Sequence, residues 1–240
     1  MNNKIIHKLE PITLVGGGAV GKDDLQLALD IAPTCVAADS GADVALAAGV
    51  ELSAVIGDMD SISEAARRRI PSSKFHRIPE QMSTDFDKAL RHIETPLVLA
   101  VGFMGRRVDH QLASLHTLVM RPDRPCLILS DRDVIFLCPR VFKLDVSAGT
   151  RVSLFPMGEV HGRSEGLEWP IDGLTFSPTG TSGTSNRATG DLVLEVDAPS
   201  LLCILPRELI RPVAQKLVAL PEHARWPARA ERYKDPPPSL

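Results

Sequence analysis

Along the first half of the chain, short apolar runs alternate with longer stretches in which apolar residues return at helical spacing. The runs Ile12 to Val15, Cys35 to Ala38, Ala54 to Ile56, Leu97 to Phe103 and Cys126 to Leu129 predict buried strands. Between them, Asp23 to Ile31, Ala42 to Ala48 closed by Gly49, Ser63 to Ile70 stopped by Pro71, Thr84 to Ile93 and Val108 to Met120 predict helices. Strand and helix in alternation give an α/β class, a mainly parallel sheet flanked by helices. From about Asp133 the texture changes. VIFLCP, FKLDV, RVSLFPM, GLEWPI, LTFSP, DLVLEVD and LLCILP are short runs separated by Gly, Pro, Ser and Thr, which predicts a smaller C-terminal antiparallel β-sandwich or barrel domain. The chain therefore divides into an α/β part over 1–132 and a β-rich part over 133–220. A polar, Pro-rich tail over 221–240 is not expected to pack.

Bulk composition narrows the function classes. The 240 residues are 44% hydrophobic and 24% charged, enough for a full core in one large domain or two small ones. A formal net charge of −3, with no basic block interleaved with aromatics, speaks against a nucleic-acid binder. No run reaches membrane-spanning length, and the N-terminus carries no secretory signal. Cys35, Cys126, Cys138 and Cys203 lack any CxxC spacing and read as buried, reduced thiols in a cytoplasmic protein.

The candidate chemistry is acidic. GDMDS (57–61) follows the run that ends at Ile56, so Asp58 and Asp60 fall where a strand leaves the sheet. If the backbone is still extended there, side chains at i and i+2 share a face and both carboxylates aim at one spot. Such a pair repels itself unless a hard divalent cation sits between, and Mg²⁺ working with substrate phosphates suits it. The same arrangement of apolar run, turn and acid recurs in CVAADSGAD (35–43) and LVLAVGFMGRRVDH (97–110), while STDFDKAL (83–90) starts a helix. Ligands of open α/β sheets bind beyond the carboxyl ends of the strands. Asp39, Asp58, Asp60 and Asp109 are thus expected to line one cleft, with Asp85 entering from a helix N-terminus.

The segment GGGAVGKD (16–23) admits other readings. Gly16, Gly18 and Gly21 fit GxGxxG, and Asp39 stands near the spacing of a ribose-binding acid in a dinucleotide site. The residues also approach a P-loop, but Asp23 stands where Ser or Thr would hold Mg²⁺ and would repel the phosphates. Alternatively the glycines only make a tight turn, with Asp23 or Asp24 capping the next helix.

Read in order, ADSGAD (38–43), IGDMDSI (56–62), QMSTDFDKAL (81–90), GRRVDH (105–110), GLEW (166–169) and TSN (184–186) resemble the thiamin pyrophosphokinase family. Its motifs are DGGA, GDxDS, QDxTDxxKA, GGRxDH, GLxW and a Ser-Asn. Ser40, Met82 and Arg106 depart from that pattern, standing where it has Gly, Asp and Gly. The resemblance implies a Rossmann-like first part and transfer of a diphosphoryl group from ATP to the hydroxyl of thiamin, with Mg²⁺. It also implies a homodimer whose thiamin site lies near the subunit interface.

On this reading Asp58, Asp60 and Asp39 bind metal, and Asp58, Asp60, Asp85, Arg107 and Asp109 carry the chemistry. Gln81, Thr84, Gly105 and His110 stand on the ATP side with Asp39. Trp169, Ser185 and Asn186 stand on the thiamin side, the last two as hydrogen-bonding partners of the aminopyrimidine edge. Taken singly, Thr84 can be only an N-cap, His110 a structural residue, Trp169 a core residue, and Arg67 to Arg69 a solvated helix face. Three other functions fit parts of the chain: another Mg²⁺-dependent small-alcohol kinase or phosphohydrolase, a nicotinamide-dinucleotide oxidoreductase, and a non-enzymatic sensor of nucleotide or thiamin.

Overall fold

The computed structural model describes residues 4–229. Its strands are β1 (Ile6–His7), β2 (Ile12–Val15), β3 (Thr34–Ala38), β4 (Ala54–Gly57), β5 (Phe75–Arg77), β6 (Ile93–Glu94), β7 (Val98–Val101), β8 (Cys126–Leu129), β9 (Asp133–Leu137), β10 (Val141–Leu144), β11 (Arg151–Pro156), β12 (Val160–Leu167), β13 (Thr175–Phe176), β14 (Gly183–Val196) and β15 (Leu201–Pro206). The helices are α1 (Asp24–Leu29), α2 (Gly41–Ala47), α3 (Glu64–Arg69), α4 (Asp85–His92), α5 (Val108–Met120) and α6 (Ile210–Val218).

β2, β7 and β8 pair in parallel, as do β3, β4 and β5. Successive strand residues point to opposite faces. Val15, Ala37, Val55, Leu99 and Leu127 join a core with Leu25, Ala28, Ala42 and Ala45 of α1 and α2. Leu14, Val36, Ile56, Ala100 and Ile128 join a second core with Phe86, Leu90 and Leu118 of α4 and α5. Helices thus cover both faces of these strands, and the loops beyond their carboxyl ends are left open for a site.

β8 pairs with β9 in antiparallel fashion, and the ladder continues through β15, β11, β14, β12 and β13. The β-rich half therefore extends the sheet of the first half in one hydrogen-bonded path, and a single apolar cluster runs from Val15 through Phe136 to Leu194. This is a large mixed sheet with few helices.

Two expectations are corrected. No helix is predicted beyond Met120, yet Ile210, Val213, Ala214 and Leu217 lie buried along α6. Their i, i+3, i+4, i+7 spacing is a helical signal inside a stretch whose texture is otherwise that of strands. The chain from Pro221 to Arg229 also packs: Trp226 is buried and its Nε1–H donates to Cys138 O at 2.8 Å, while the Arg229 guanidinium donates to Val119 O and Pro199 O. The remainder of the expected tail, 230–240, lies outside the described residues. Among the described residues no helix is long and apolar enough to cross a membrane. All four cysteines are buried and unpaired, and burial pushes the Cys35 and Cys138 thiols up to about 12.

Candidate functional site

Ala38 pairs with Ile56, so β3 and β4 release their next residues side by side. Asp39 leaves β3 with φ 43° and its N–H still bonded to Ile56 O, and its Cβ lies against Gly57 at the end of β4. β4 stops at Gly57, and Met59 takes φ 70°, so the backbone is not extended through GDMDS as the i, i+2 argument requires. The two acids converge through an Asx turn instead: Asp58 Oδ1 accepts the Asp60 N–H at 3.2 Å, and Met59 is tucked inward. Carboxylate oxygens of Asp39, Asp58 and Asp60 come within 4.8 Å of one another. Asp39 is only 4% exposed, and its Oδ1 has no hydrogen-bond partner. Burial, then the nearby charges of Asp85, Asp58 and Asp60, push its carboxyl above the usual range despite a bond from the Ser40 N–H. A buried acceptor left unpaired costs roughly 1–3 kcal/mol, and a cation among three carboxylates removes that cost. The all-oxygen donor set is the kind a hard divalent ion takes.

α4 brings the fourth acid and a residue the motif reading passed over. Thr84 Oγ1 accepts the Asp87 N–H and caps the helix, and Asp85 Oδ1 accepts the Asp58 N–H at 3.3 Å. Lys88, one turn on and 1% exposed, donates from Nζ to Asp58 Oδ2 at 2.9 Å and to Asp85 Oδ1 at 3.1 Å. Burial pulls this ammonium down, but its two carboxylate partners outweigh that and hold it above its ordinary value. Asp58 is correspondingly held low by Lys88 and the Asp60 N–H against the opposing effect of partial burial. The signal was present in the sequence: a lysine three residues after an acid on an otherwise apolar helix face is buried only if paired.

The loop before α4 is organised by Glu80, which accepts from the Met82 N–H, the Ser83 hydroxyl and Arg91 Nη2. Gln81 Nε2 lies 3.3 Å from Asp58 Oδ2, and Met82 projects into solvent at 81% exposure.

The GRRVDH segment closes on itself. Arg107 and Asp109 form a forked pair, Nε to Oδ1 at 3.1 Å and Nη2 to Oδ2 at 2.5 Å, with both side chains exposed. His110 is exposed at the start of α5, its carbonyl accepting the Ser114 hydroxyl. Gly105 has φ 84°, which suits a residue without Cβ.

The glycine loop is explained by backbone packing. A Cβ on Gly16 would meet Gly102 O at 2.7 Å, Gly18 donates its N–H to Gly102 O, and Gly41 sits against the Val15 carbonyl. Asp23 makes no side-chain cap; the Asp24 carboxylate turns back to the Gly21 N–H at 2.7 Å and is held by Arg207 at 2.8 Å.

At the other edge, Trp169 is 55% exposed, so it is not a core residue. Asn186 is buried at 5% and spends its amide internally: Oδ1 accepts the N–H groups of Trp169 and Arg187, and Nδ2 donates to Trp169 O at 2.7 Å. It holds the Trp169 backbone through these bonds. Ser185 is exposed with φ 63°, its N–H bonded to Ser153 Oγ. Asp39, Met59, Arg106 and Ser185 are the non-glycine residues with positive φ among those described, and each lies in one of the six motifs. Backbone strain of this kind clusters where a site requires it.

Comparisons with known proteins show the family and the fold. Residues 25–128 match a family model described as Thiamin pyrophosphokinase, catalytic domain, and residues 141–201 one described as Thiamin pyrophosphokinase, vitamin B1 binding domain. Thiamine pyrophosphokinase 2 of Oryza sativa subsp. japonica is 30% identical over 174 residues, covering 64% of this chain and 65% of that protein. Thiamine pyrophosphokinase 2 of Arabidopsis thaliana is 26% identical over 181 residues, covering 65% and 66%. The chain spans 56% to 66% of the length of the curated relatives it matches. Among solved structures, the thiamin pyrophosphokinase from Candida albicans superposes with a TM-score of 0.70 at 17% identity, covering 82% of this chain and 89% of that one. The yeast thiamin pyrophosphokinase gives 0.67 at 18% identity, covering 91% and 93%. At these identities the superpositions establish the fold.

Proposed function

Since the chain belongs to the thiamin pyrophosphokinase family, we propose that it transfers the diphosphoryl group of ATP to the hydroxyl of thiamin, giving thiamin diphosphate and AMP. The observation that carries this reading is the buried, unpartnered Asp39 Oδ1 within 4.8 Å of the Asp58 and Asp60 oxygens. Asp39, Asp58 and Asp60 would hold Mg²⁺, which supplies the positive charge that lets polyphosphate enter an acidic cleft. Lys88 holds the Asp58 carboxylate, and Asp85 holds the Asp58 backbone N–H. Arg107, aligned by its fork to Asp109, clamps a phosphate, and Gln81 orients the nucleotide beside Asp58. Thr84, Gly105 and His110 shape the ATP side, Thr84 through its cap on α4. Trp169 offers a ring face to the thiamin cation, Ser185 a hydroxyl, and Asn186 steadies Trp169. Diphosphoryl transfer asks for positioning and charge compensation along the line of attack, and these residues supply both.

The nucleotide is assigned to residues 1–132 and thiamin to 133–220. From β14, which carries Ser185 and Asn186, to β2 beside the acidic cluster is six strand spacings, about 29 Å along the sheet at about 4.8 Å each. That path exceeds what a small alcohol bridges. It supports a homodimer in which the thiamin side of one protomer faces the acidic cluster of its partner. The four buried, unpaired thiols suit a reducing, cytoplasmic setting.

The test is incubation with Mg²⁺, ATP and thiamin, omitting each in turn, with chromatographic separation of AMP, ADP and thiamin diphosphate. AMP and thiamin diphosphate in equal amounts, only when all three are present, are expected. ADP as the product would indicate an ordinary kinase or ATPase, and absence of product would overturn the reading.

A further inference from the structure

Arg106 and Ser40 lie far apart in sequence, yet they meet on Gly17. Arg106 Nη1 donates to Gly17 O at 3.3 Å, and the Ser40 side chain packs against the Gly17 Cα. Ser40 follows Asp39 directly, so Arg106 and the residue next to the carboxylate cluster share Gly17 as a common contact. The backbone supporting it is unusual: Arg106 has φ 61°, a conformation costing a residue with a Cβ roughly 1 kcal/mol or more. Both positions are ones where the motifs described above carry glycine. Ser40 adopts φ −60° without strain, whereas the arginine at 106 holds a glycine's conformation.

A strap between two loops does not need a guanidinium. The hydrogen bond to Gly17 O is the only one Arg106 makes among the described residues, and it uses one of five N–H donors on an exposed side chain. Its charge is also uncommitted. Arg107 next to it is neutralised by Asp109 and Lys88 by Asp58 and Asp85, while Arg106 forms no ion pair among the described residues. A planar, permanently charged fork beside a cation-binding cluster is suited to phosphate oxygens.

We propose that Arg106 is a nucleotide-contacting residue that holds the polyphosphate of the incoming nucleoside triphosphate against the Gly16–Gly18 loop, the Gly17 carbonyl fixing its side chain. This inference rests on the function proposed above and adds an affinity determinant to it. The contact is made in the ground state as much as in the transition state, so it acts on nucleotide affinity and not on the chemical step.

The experiment uses the full chain, Arg106→Gly and Arg106→Lys, with MgATP binding followed by titration calorimetry and steady-state AMP formation. Arg106→Gly relieves the positive φ, so its melting temperature is expected to equal or exceed that of the wild type. Its Kd and KM for MgATP are expected to rise about tenfold, with kcat and the KM for thiamin within about twofold of wild type. Arg106→Lys is expected between the two, since it keeps the charge and loses the fork. Unchanged MgATP affinity in Arg106→Gly would overturn the proposal, as would a lowered melting temperature with both KM values moved, the mark of a structural strap. Wild-type protein that fails to bind MgATP would overturn the proposed function and this inference with it. Binding by the wild type with an equal value for Arg106→Gly would overturn this inference alone.

Discussion

The two candidate ligand regions satisfy their buried polar groups in opposite ways. At the carboxyl ends of β3 and β4, acidic groups are brought together faster than they are satisfied: Asp39 Oδ1 is buried without a partner, and a single buried lysine stands between Asp58 and Asp85. At the junction of β12 and β14 the buried Asn186 amide has partners for both its oxygen and its nitrogen in the Trp169 and Arg187 backbone, and what remains exposed is an indole. On the function proposed above, the first region holds an electrostatic deficit that a cation and phosphates would complete. On the same proposal, the second offers an exposed indole that a flat cationic ring would cover. Loss of a residue should therefore be felt in turnover at the first end and in thiamin affinity at the second.

The sharpest break in that comparison comes from placing one lesion at each end. Asp58→Asn removes charge where it is concentrated, and turnover is expected to fall about 10²–10³-fold, with the circular dichroism spectrum unchanged. Trp169→Ala leaves turnover at saturating thiamin near wild type and raises the thiamin KM about tenfold. If the two ends complete one site across a dimer, co-expressing the two variants creates heterodimers with one intact site. Below the thiamin KM the mixture is then expected to show about a quarter of the wild-type rate, against about a twentieth if each protomer works alone. A rate at the lower value would place the whole site within one chain.

Lys88→Met tests how far the acidic end depends on its internal cation. Methionine keeps much of the volume but leaves Asp58 and Asp85 facing each other in a largely buried place. Breaking a buried pair costs about 3 kcal/mol, which is expected as a lower urea midpoint at unchanged slope. Mg²⁺ is expected to raise that midpoint more in the variant than in the wild type, because an external cation replaces the missing ammonium. An unchanged midpoint without metal would mean that the carboxylates are relaxed by solvent and that Lys88 is incidental.

What the sequence disclosed follows the same division. Apolar runs buried on both faces announce β2, β3, β4 and β8 at nearly their observed bounds, and the turns after them mark the acidic cluster because a strand end and an acid are both local features. The mechanism of convergence was not local. Met59 at positive φ and the Asx turn at Asp58 replace the extended geometry that the i, i+2 spacing suggests. Lys88 lay in plain sight inside QMSTDFDKAL, but its burial depends on Asp58, which is thirty residues away. The β-rich end was harder still. GTSNRATG falls between the predicted runs LTFSP and DLVLEVD, yet it forms the first half of β14, paired with β11 on one side and reaching Leu167 of β12 on the other. The packing of Trp226 onto Cys138 arises only once β9 is in place.

Asn186 decides whether the thiamin end works by contact or by scaffolding. Asn186→Ala leaves the Trp169 N–H and carbonyl and the Arg187 N–H without their partner, an expected stability loss of about 2 kcal/mol. Its effect on thiamin KM is expected to match that of Trp169→Ala, about tenfold, because the indole loses its fixed position. The informative measurement is the double variant. If Asn186 acts only through Trp169, the double variant raises the KM no further than Trp169→Ala alone, which is a full coupling of the two sites. If the amide itself bonds the aminopyrimidine edge, the two effects multiply to about a hundredfold, and the second region would then resemble the first in presenting a polar group to its ligand.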